Sequence, residues 1–408
     1  ENPEGLGMEK PRFSWKFTSH KPDVMQKAYQ IEVAASEKDL NSASDLLWNS
    51  GRVDSDQSVL IEYAGKPLES GRKYFWRVSV WTNQGETAKS NIQYWSTALL
   101  KDSDWKAKWI GLNDTENLKV EDNRTTLPAR YLRKEFEVAS KPKRAVLYVS
   151  GVGSSACYIN GSRVGDDVFG PLPTWYDASV TYLTYDITSY VKKGANAIGV
   201  ALGNGRYLTM REKGMLGFGL PRLIAQLAIE YENGEYAFVV SDNTWVANNK
   251  GPILENNEFD GEKYDARLEL GKWTEPGYDA SAWKNAELMD APKGKLIAQL
   301  SPSLKVMEEI RPLSVKAAGD GRYIIDMGQN MVGLLQVRLN GKKDKPVTMR
   351  FAEVLKSNGT ELYMDNLRGA LVTDIYTPAN DGSFTWEPLF VYHGFRFAEI
   401  SGLDYEPT

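Results

Sequence analysis

The stretch "RKYFWRVSVWTNQG", Arg72 to Gly85, alternates along its length and then stops in a polar turn containing glycine. A period of two puts Tyr74, Trp76, Val78 and Val80 on one side of an extended strand, and that side must face a core. "YQIEVAAS" (Tyr29 to Ser36) and "SVLIEYAG" (Ser58 to Gly65) repeat the pattern between turns rich in Gly, Pro, Asn and Asp. No long helical period occurs anywhere, and only "SEKDLNSASDLL", Ser36 to Leu47, reads as a short helix or loop. The chain is therefore all-β. Its 12 Trp, 21 Tyr and 13 Phe suit the half-buried faces of β-sandwiches.

At roughly 150 residues per domain, 408 residues predict about three domains. Residues 1–100 read as a fibronectin-III-like sandwich, and 101–128 as a linker anchored by Trp105 and Trp109. Residues 129–290 form a second block, in which "YINGSRVG" has the form of a strand, a tight Asn-Gly turn and a returning strand. Residues 291–408 form a third, with alternating strands in "KPVTMRFAEVL" and "FVYHGFRFAEISG".

Composition removes several function classes. The net charge of −5 comes from 49 basic and 54 acidic residues mixed along the chain, so no nucleic-acid footprint is present. No apolar run reaches the ~18 residues of a membrane span. Cys157 is the single cysteine, which excludes an internal disulfide and a cysteine zinc cluster. Two histidines, His20 and His393, poorly supply serine-histidine-acid chemistry or a histidine metal site.

Two groups of residues carry possible chemistry. In the middle block, "PTWYDAS" gives Trp175, Tyr176 and Asp177, "GNGRY" gives Asn204, Arg206 and Tyr207, and "GEKYDAR" gives Glu262 and Asp265. Sugar sites combine an aromatic platform with Asp, Asn and Arg groups for the hydroxyls, and calcium can add oxygen coordination. The structural alternative has Trp175 and Tyr176 packed under a loop, with Glu262 and Arg267 in ion pairs. Adjacent Asp166 and Asp167 read as a solvated turn. In the third block, Asp326, Gln329 and Asn330 surround Gly328 in "DMGQNMVG", which suits a turn at positive φ or a loop bordering a substrate cleft. On "YHGFRF", alternation sets Tyr392 and Gly394 on one face and His393, Phe395 and Phe397 on the other; His393 reads as a packing residue, and Arg396 is expected to reach a carboxylate of a neighbouring domain.

These motifs also carry a resemblance that covers essentially the whole chain. "WNSGRVDSDQSVLIEYAGKPLESGRKYFWRVSVW" resembles the amino-terminal domain of bacterial α-L-rhamnosidases. "YINGSRVGDD", "TYLTYDITSYV", "GNGRY" and "GEKYDAR" resemble the jelly-roll, galactose-binding-like domain that follows it, and "DMGQNMVG", "RFAEVL", "DNLRGALVTDIY" and "EPLFVYHGFRFAEISG" the next β-sandwich. The resemblance implies an inverting glycoside hydrolase that releases L-rhamnose from glycans outside the cytoplasm, with a signal peptide removed. It also implies that the catalytic carboxylates sit in an (α/α)6 domain of the same polypeptide, beginning after the segment that resembles "YHGFRFAEISG". With Thr408 six residues beyond Gly402, the chain reads as an accessory fragment, inactive alone and needing no cofactor. Asp326, Gln329, Asn330, His393 and Arg396 would then face the catalytic domain.

The resemblance further implies a possible calcium-dependent rhamnose-binding module in the jelly-roll position, although Arg206 stands where many family members carry Trp. Three classes follow: an accessory support for a catalytic domain, a stand-alone carbohydrate-binding module, and a small hydrolase of unrelated mechanism using middle-block carboxylates. The first predicts an exposed apolar patch near the carboxyl terminus, the second saturable rhamnose binding, and the third a cleft with a coupled carboxyl pair.

Overall fold

A computed structural model describes residues 2–121, 124–208 and 217–407. Residues 209–216 of the middle block, 122–123 of the expected linker and the terminal Thr408 lie outside the described residues. The chain forms two compact units. One takes the chain up to Lys106 with Leu183–Asp186 and Leu296–Ser301; the other takes Ala107–Tyr182, Ile187–Lys295 and the chain from Pro302 onward.

In the first unit the alternating segments become the strands Gln26–Ala34 and Lys73–Thr82, paired antiparallel with Tyr29 opposite Val80 and Ile31 opposite Val78. Tyr74, Val78 and Val80 are buried as the alternation requires, with Phe13, Ile31, Val33 and Trp95 in the same core. The ring of Phe13 lies 4.7 Å from Trp76 and 5.4 Å from Trp95, so aromatic packing fills this small sandwich. The expected short helix is Glu37–Ser42, capped by Ser36, whose hydroxyl accepts from the Asp39 N–H at 3.1 Å.

Two large β-systems dominate the described residues of the second unit. In the first, one sheet orders its strands as Ser162–Arg163, Ser154–Ile159, Gly194–Gly203, Arg130–Val138, Val246–Asn248 and Lys284–Asn285. A second sheet runs Glu287–Leu288, Ile110–Gly111, Arg222–Glu230 and Arg144–Val152. The Asn-Gly turn forms as expected, with Asn160 and Gly161 both at positive φ between paired strands. Residues 101–128 are more than a linker: Ile110–Gly111 pairs with Arg222–Glu230, and buried Asp114 accepts from Arg130 at 2.6 Å.

The other β-system orders Ile253–Asn257, Gly261–Asp265, Thr373–Thr377, Val347–Ala352, His393–Ser401, Arg322–Gly333 and Ser314–Gly319. Its core is Met349, Phe351, Phe395, Ala398 and Ile400, flanked by Trp386 and Tyr376. This sheet crosses the expected boundary at residue 290, because Gly261–Asp265 pairs in parallel with Thr373–Thr377. Gly261 makes that approach possible: at φ +114°, an added Cβ would lie 2.0 Å from the Thr373 carbonyl oxygen.

Candidate functional site

Strand Gly194–Gly203 ends in Asn204 and the short helix Gly205–Leu208, and this turn sets the geometry of the middle-block candidates. Asn204 is fully buried; its side-chain amide donates to the carbonyls of Leu127 at 2.7 Å and Asn256 at 3.0 Å, and its backbone N–H to Asn256 Oδ1 at 2.6 Å. Gly205 follows at φ +44° against Gly153, whose carbonyl oxygen would be 2.2 Å from an added Cβ. Asn204 is thus an anchor of the turn, and the turn delivers Arg206 outward and Tyr207 inward.

Arg206 Nε donates to both carboxylate oxygens of Glu258, at 2.9 and 3.1 Å, and Tyr392 donates its hydroxyl to the same carboxylate at 3.0 Å. The Arg206 side chain is 51% exposed while Glu258 is 13% exposed, so the carboxylate is sunk and the guanidinium rides above it. Hydrogen bonding to Glu258 raises the Arg206 guanidinium further above its ordinary value. Beside this pair, Tyr176 and Tyr207 are buried with ring centres 5.0 Å apart, and Phe218 lies 5.2 Å from Tyr176. Trp175 stands on this bed, 5.6 Å from Phe218 and 65% exposed. Burial raises the hydroxyl pKa of Tyr176, which favours its neutral form.

The structure therefore divides the middle-block set. Trp175, Tyr176, Arg206 and Tyr207 belong to one loop cluster. Asp177 pairs at the surface with Lys293 at 3.5 Å. Asp265 caps the turn Ala266–Leu268 and holds Arg267 at 2.6 Å, which also meets Asp344, so Arg267 forms structural ion pairs as expected, whereas Glu262 does not. Glu262 is buried instead, accepting from the backbone N–H groups of Leu389 and Phe390 at 2.9–3.2 Å. Burial pushes its carboxyl up to about 8 despite the lowering by the two N–H donors, and nearby Asp374 adds to the rise. Sequence reasoning missed Glu258, Phe218 and Tyr392 as parts of the cluster, since no motif distinguishes them from ordinary turn and strand residues.

The third-block group is structural where its contacts are concerned. Asp326 receives Arg396 through two bonds, 2.9 and 3.0 Å, and accepts the Gly328 N–H at 2.8 Å. Gly328 adopts φ +82°, as expected of the turn. The carboxylate that Arg396 meets, Asp326, lies on the adjacent strand of its own sheet, where the ladder shifts register between Asp326 and Met331. Hydrogen bonds from Arg396 hold the Asp326 carboxyl below its usual range. Asn330 donates to Glu353 at 3.3 Å, and Gln329 is exposed. His393 is a packing residue, as expected: it is buried, stacked 4.2 Å from Phe351, with Nε2 3.0 Å from Asp374.

Calcium asks for six to eight oxygen ligands. Among the described residues no three His, Cys, Asp or Glu side chains gather in a way that could hold a metal ion. The buried Oδ1 of Asn204 has no hydrogen-bond donor, but Asp177 is turned to Lys293. This donor set does not fit a carboxylate cage.

Comparison with known proteins bears on what these units are. Residues 1–101 match a family model described as a Rha78A-like, N-terminal immunoglobulin domain, 140–308 the alpha-L-rhamnosidase N-terminal domain, and 316–408 the bacterial alpha-L-rhamnosidase concanavalin-like domain. By these models the chain carries the amino-terminal domains of α-L-rhamnosidases. An α-L-rhamnosidase of Formosa agariphila is 38% identical over 423 residues, a match that takes in 100% of this chain and 44% of that relative. The solved α-L-rhamnosidase from Dictyoglumus thermophilum is 37% identical with a TM-score of 0.94, over 100% of this chain and 46% of that one. The Streptomyces avermitilis enzyme, solved with L-rhamnose, is 28% identical with a TM-score of 0.92, over 100% and 55%. The chain spans about half the length of the curated relatives it matches. It corresponds to the amino-terminal, tandem β-sandwich part of α-L-rhamnosidases.

Proposed function

We propose that this chain is the accessory, non-catalytic part of an α-L-rhamnosidase, acting outside the cytoplasm on rhamnose-containing glycans together with a catalytic domain. The carrying observation is that the whole chain aligns with only about half of each relative. The chemistry supports the same reading. An inverting glycosidase needs a raised acid and an ionised base with carboxyls roughly 6.5–9.5 Å apart across a water-filled gap. The most strongly raised carboxyl among the described residues, Glu262, is sealed under Leu389 and Phe390 rather than open to a sugar. The test is an amount series of purified chain on an aryl α-L-rhamnoside. The reading expects no rhamnose release above the blank, and release in proportion to the chain would overturn it.

A second reading, retained sugar binding, draws on one surface: exposed Trp175 beside the Arg206–Glu258 pair. A pyranose could stack on the indole while the guanidinium and carboxylate meet its hydroxyls. Titration calorimetry with L-rhamnose, in calcium and after chelation, separates the cases. Saturable heat lost in Trp175→Ala supports a site here, and its loss on chelation adds a metal. Flat traces with folded protein leave the cluster structural.

A further inference from the structure

The segment from Pro302 to Pro312 has almost no ladder of its own: an isolated bridge joins Lys305 to Asp167, and Val168 N–H donates to the Leu304 carbonyl at 2.9 Å. Here Leu304, Val306, Met307 and Leu313 are all exposed within ten residues, Met307 to 88% and Leu313 to 72%. Solvent alone gives no reason for that density of apolar side chains.

The segment leads onto a bare part of the neighbouring sheet. Leu313 N–H donates to the Asp326 carbonyl at 2.7 Å, and an added Cβ on Gly328 would lie 3.7 Å from the Leu313 side chain. Further along the same strand, Val332 is 74% exposed and pairs with Gly394, while Gly333 pairs with His393. A Cβ at Gly333 or Gly394 would meet nothing within 4 Å. Val332 thus stands on an open patch with no side-chain cover from its glycine neighbours.

We infer that Leu304–Leu313, with Val332, is a docking surface for the part of an α-L-rhamnosidase polypeptide that relatives carry beyond their match to this chain. The relatives supply the reason for this occupant: more than half of the Formosa agariphila protein lies outside its match, so a body of about the same size is available to cover the face. The inference rests on the accessory reading and deepens it, because it names the surface through which support is given.

Met307 is the reporter. Its thioether is oxidised to the sulfoxide by hydrogen peroxide, with release of water, at a rate that follows exposure. Met25, 59% exposed in the first unit, is the internal reference. The comparison is between this chain and an intact chimera in which it replaces the matching part of the Formosa agariphila relative. The expected result is a Met307 oxidation rate, relative to Met25, at least about tenfold slower in the chimera, a change that Val306→Asp with Leu313→Asp reverses. Equal rates in a chimera that hydrolyses rhamnosides would overturn the docking surface and leave the accessory reading standing. A chimera that unfolds cooperatively on heating, and so is folded, but does not hydrolyse rhamnosides would remove the accessory reading, and this inference with it. Protection of Met307 in the isolated chain, rising with concentration, would assign the face to a second copy and also overturn the proposal.

Discussion

Glu262→Gln tests the buried carboxyl between the two β-systems of the second unit. In the folded chain Glu262 titrates near 8 against an ordinary 4.5, because burial disfavours the carboxylate and Asp374 repels it. A carboxyl whose folded value lies above its unfolded one binds protons more tightly in the folded chain. Its stabilising contribution is whole below pH 4.5 and is lost as pH rises towards 8. Each tenfold in proton affinity is about 1.36 kcal/mol, so the loss by pH 8 is on the order of 4 kcal/mol. Glutamine keeps an oxygen for the Leu389 and Phe390 N–H groups but buries an amide N–H₂ without a designed acceptor, a cost of about 1–3 kcal/mol at every pH. Urea unfolding at pH 5 and pH 8, followed by tryptophan fluorescence at constant ionic strength, reads both effects. The variant should be less stable than the parent at pH 5 and should match or exceed it at pH 8. A stability gap that is the same at both pH values would refute the reasoning.

Three further outcomes are expected. Gly205→Ala places a Cβ 2.2 Å from the Gly153 carbonyl at a left-handed φ, and should cost about 3 kcal/mol or more, read as a lower melting temperature. Phe351→Ala removes a fully buried ring that stacks on His393 and meets Phe395 at 4.9 Å, and calorimetric unfolding should show a loss of about 3–5 kcal/mol. Asp326→Asn weakens a half-exposed pair with Arg396 and should cost only about 1 kcal/mol at pH 7; because this carboxyl titrates below its usual value, the difference should vanish as pH falls through that lowered value, which urea midpoints between pH 7 and pH 2 would show.

What the sequence made legible was local. Alternation placed Tyr74, Val78 and Val80 in the core, and the glycine of "DMGQN" marked the positive φ at Gly328. Two-residue strands such as Ile110–Gly111 carry no period, which is why a sheet strand read as linker. The parallel pairing of Gly261–Asp265 with Thr373–Thr377 joins segments more than a hundred residues apart, and only the folded registers reveal it. The same holds for the candidate site. Trp175 and Arg206 were visible as residue types, but Glu258 and Tyr392 become their neighbours only when two distant turns meet. Arg396 was legible as a cation that would meet a carboxylate, yet which carboxylate depends on the shifted ladder beside Asp326.

We propose that this part of an α-L-rhamnosidase supports catalysis without performing it. The most direct measurement is rhamnose release from an aryl α-L-rhamnoside, assayed fraction by fraction across the size-exclusion peak of the pure, folded chain. A flat activity trace through the protein peak is expected. An activity profile that superimposes on the peak, with constant turnover per mole of chain, would contradict it.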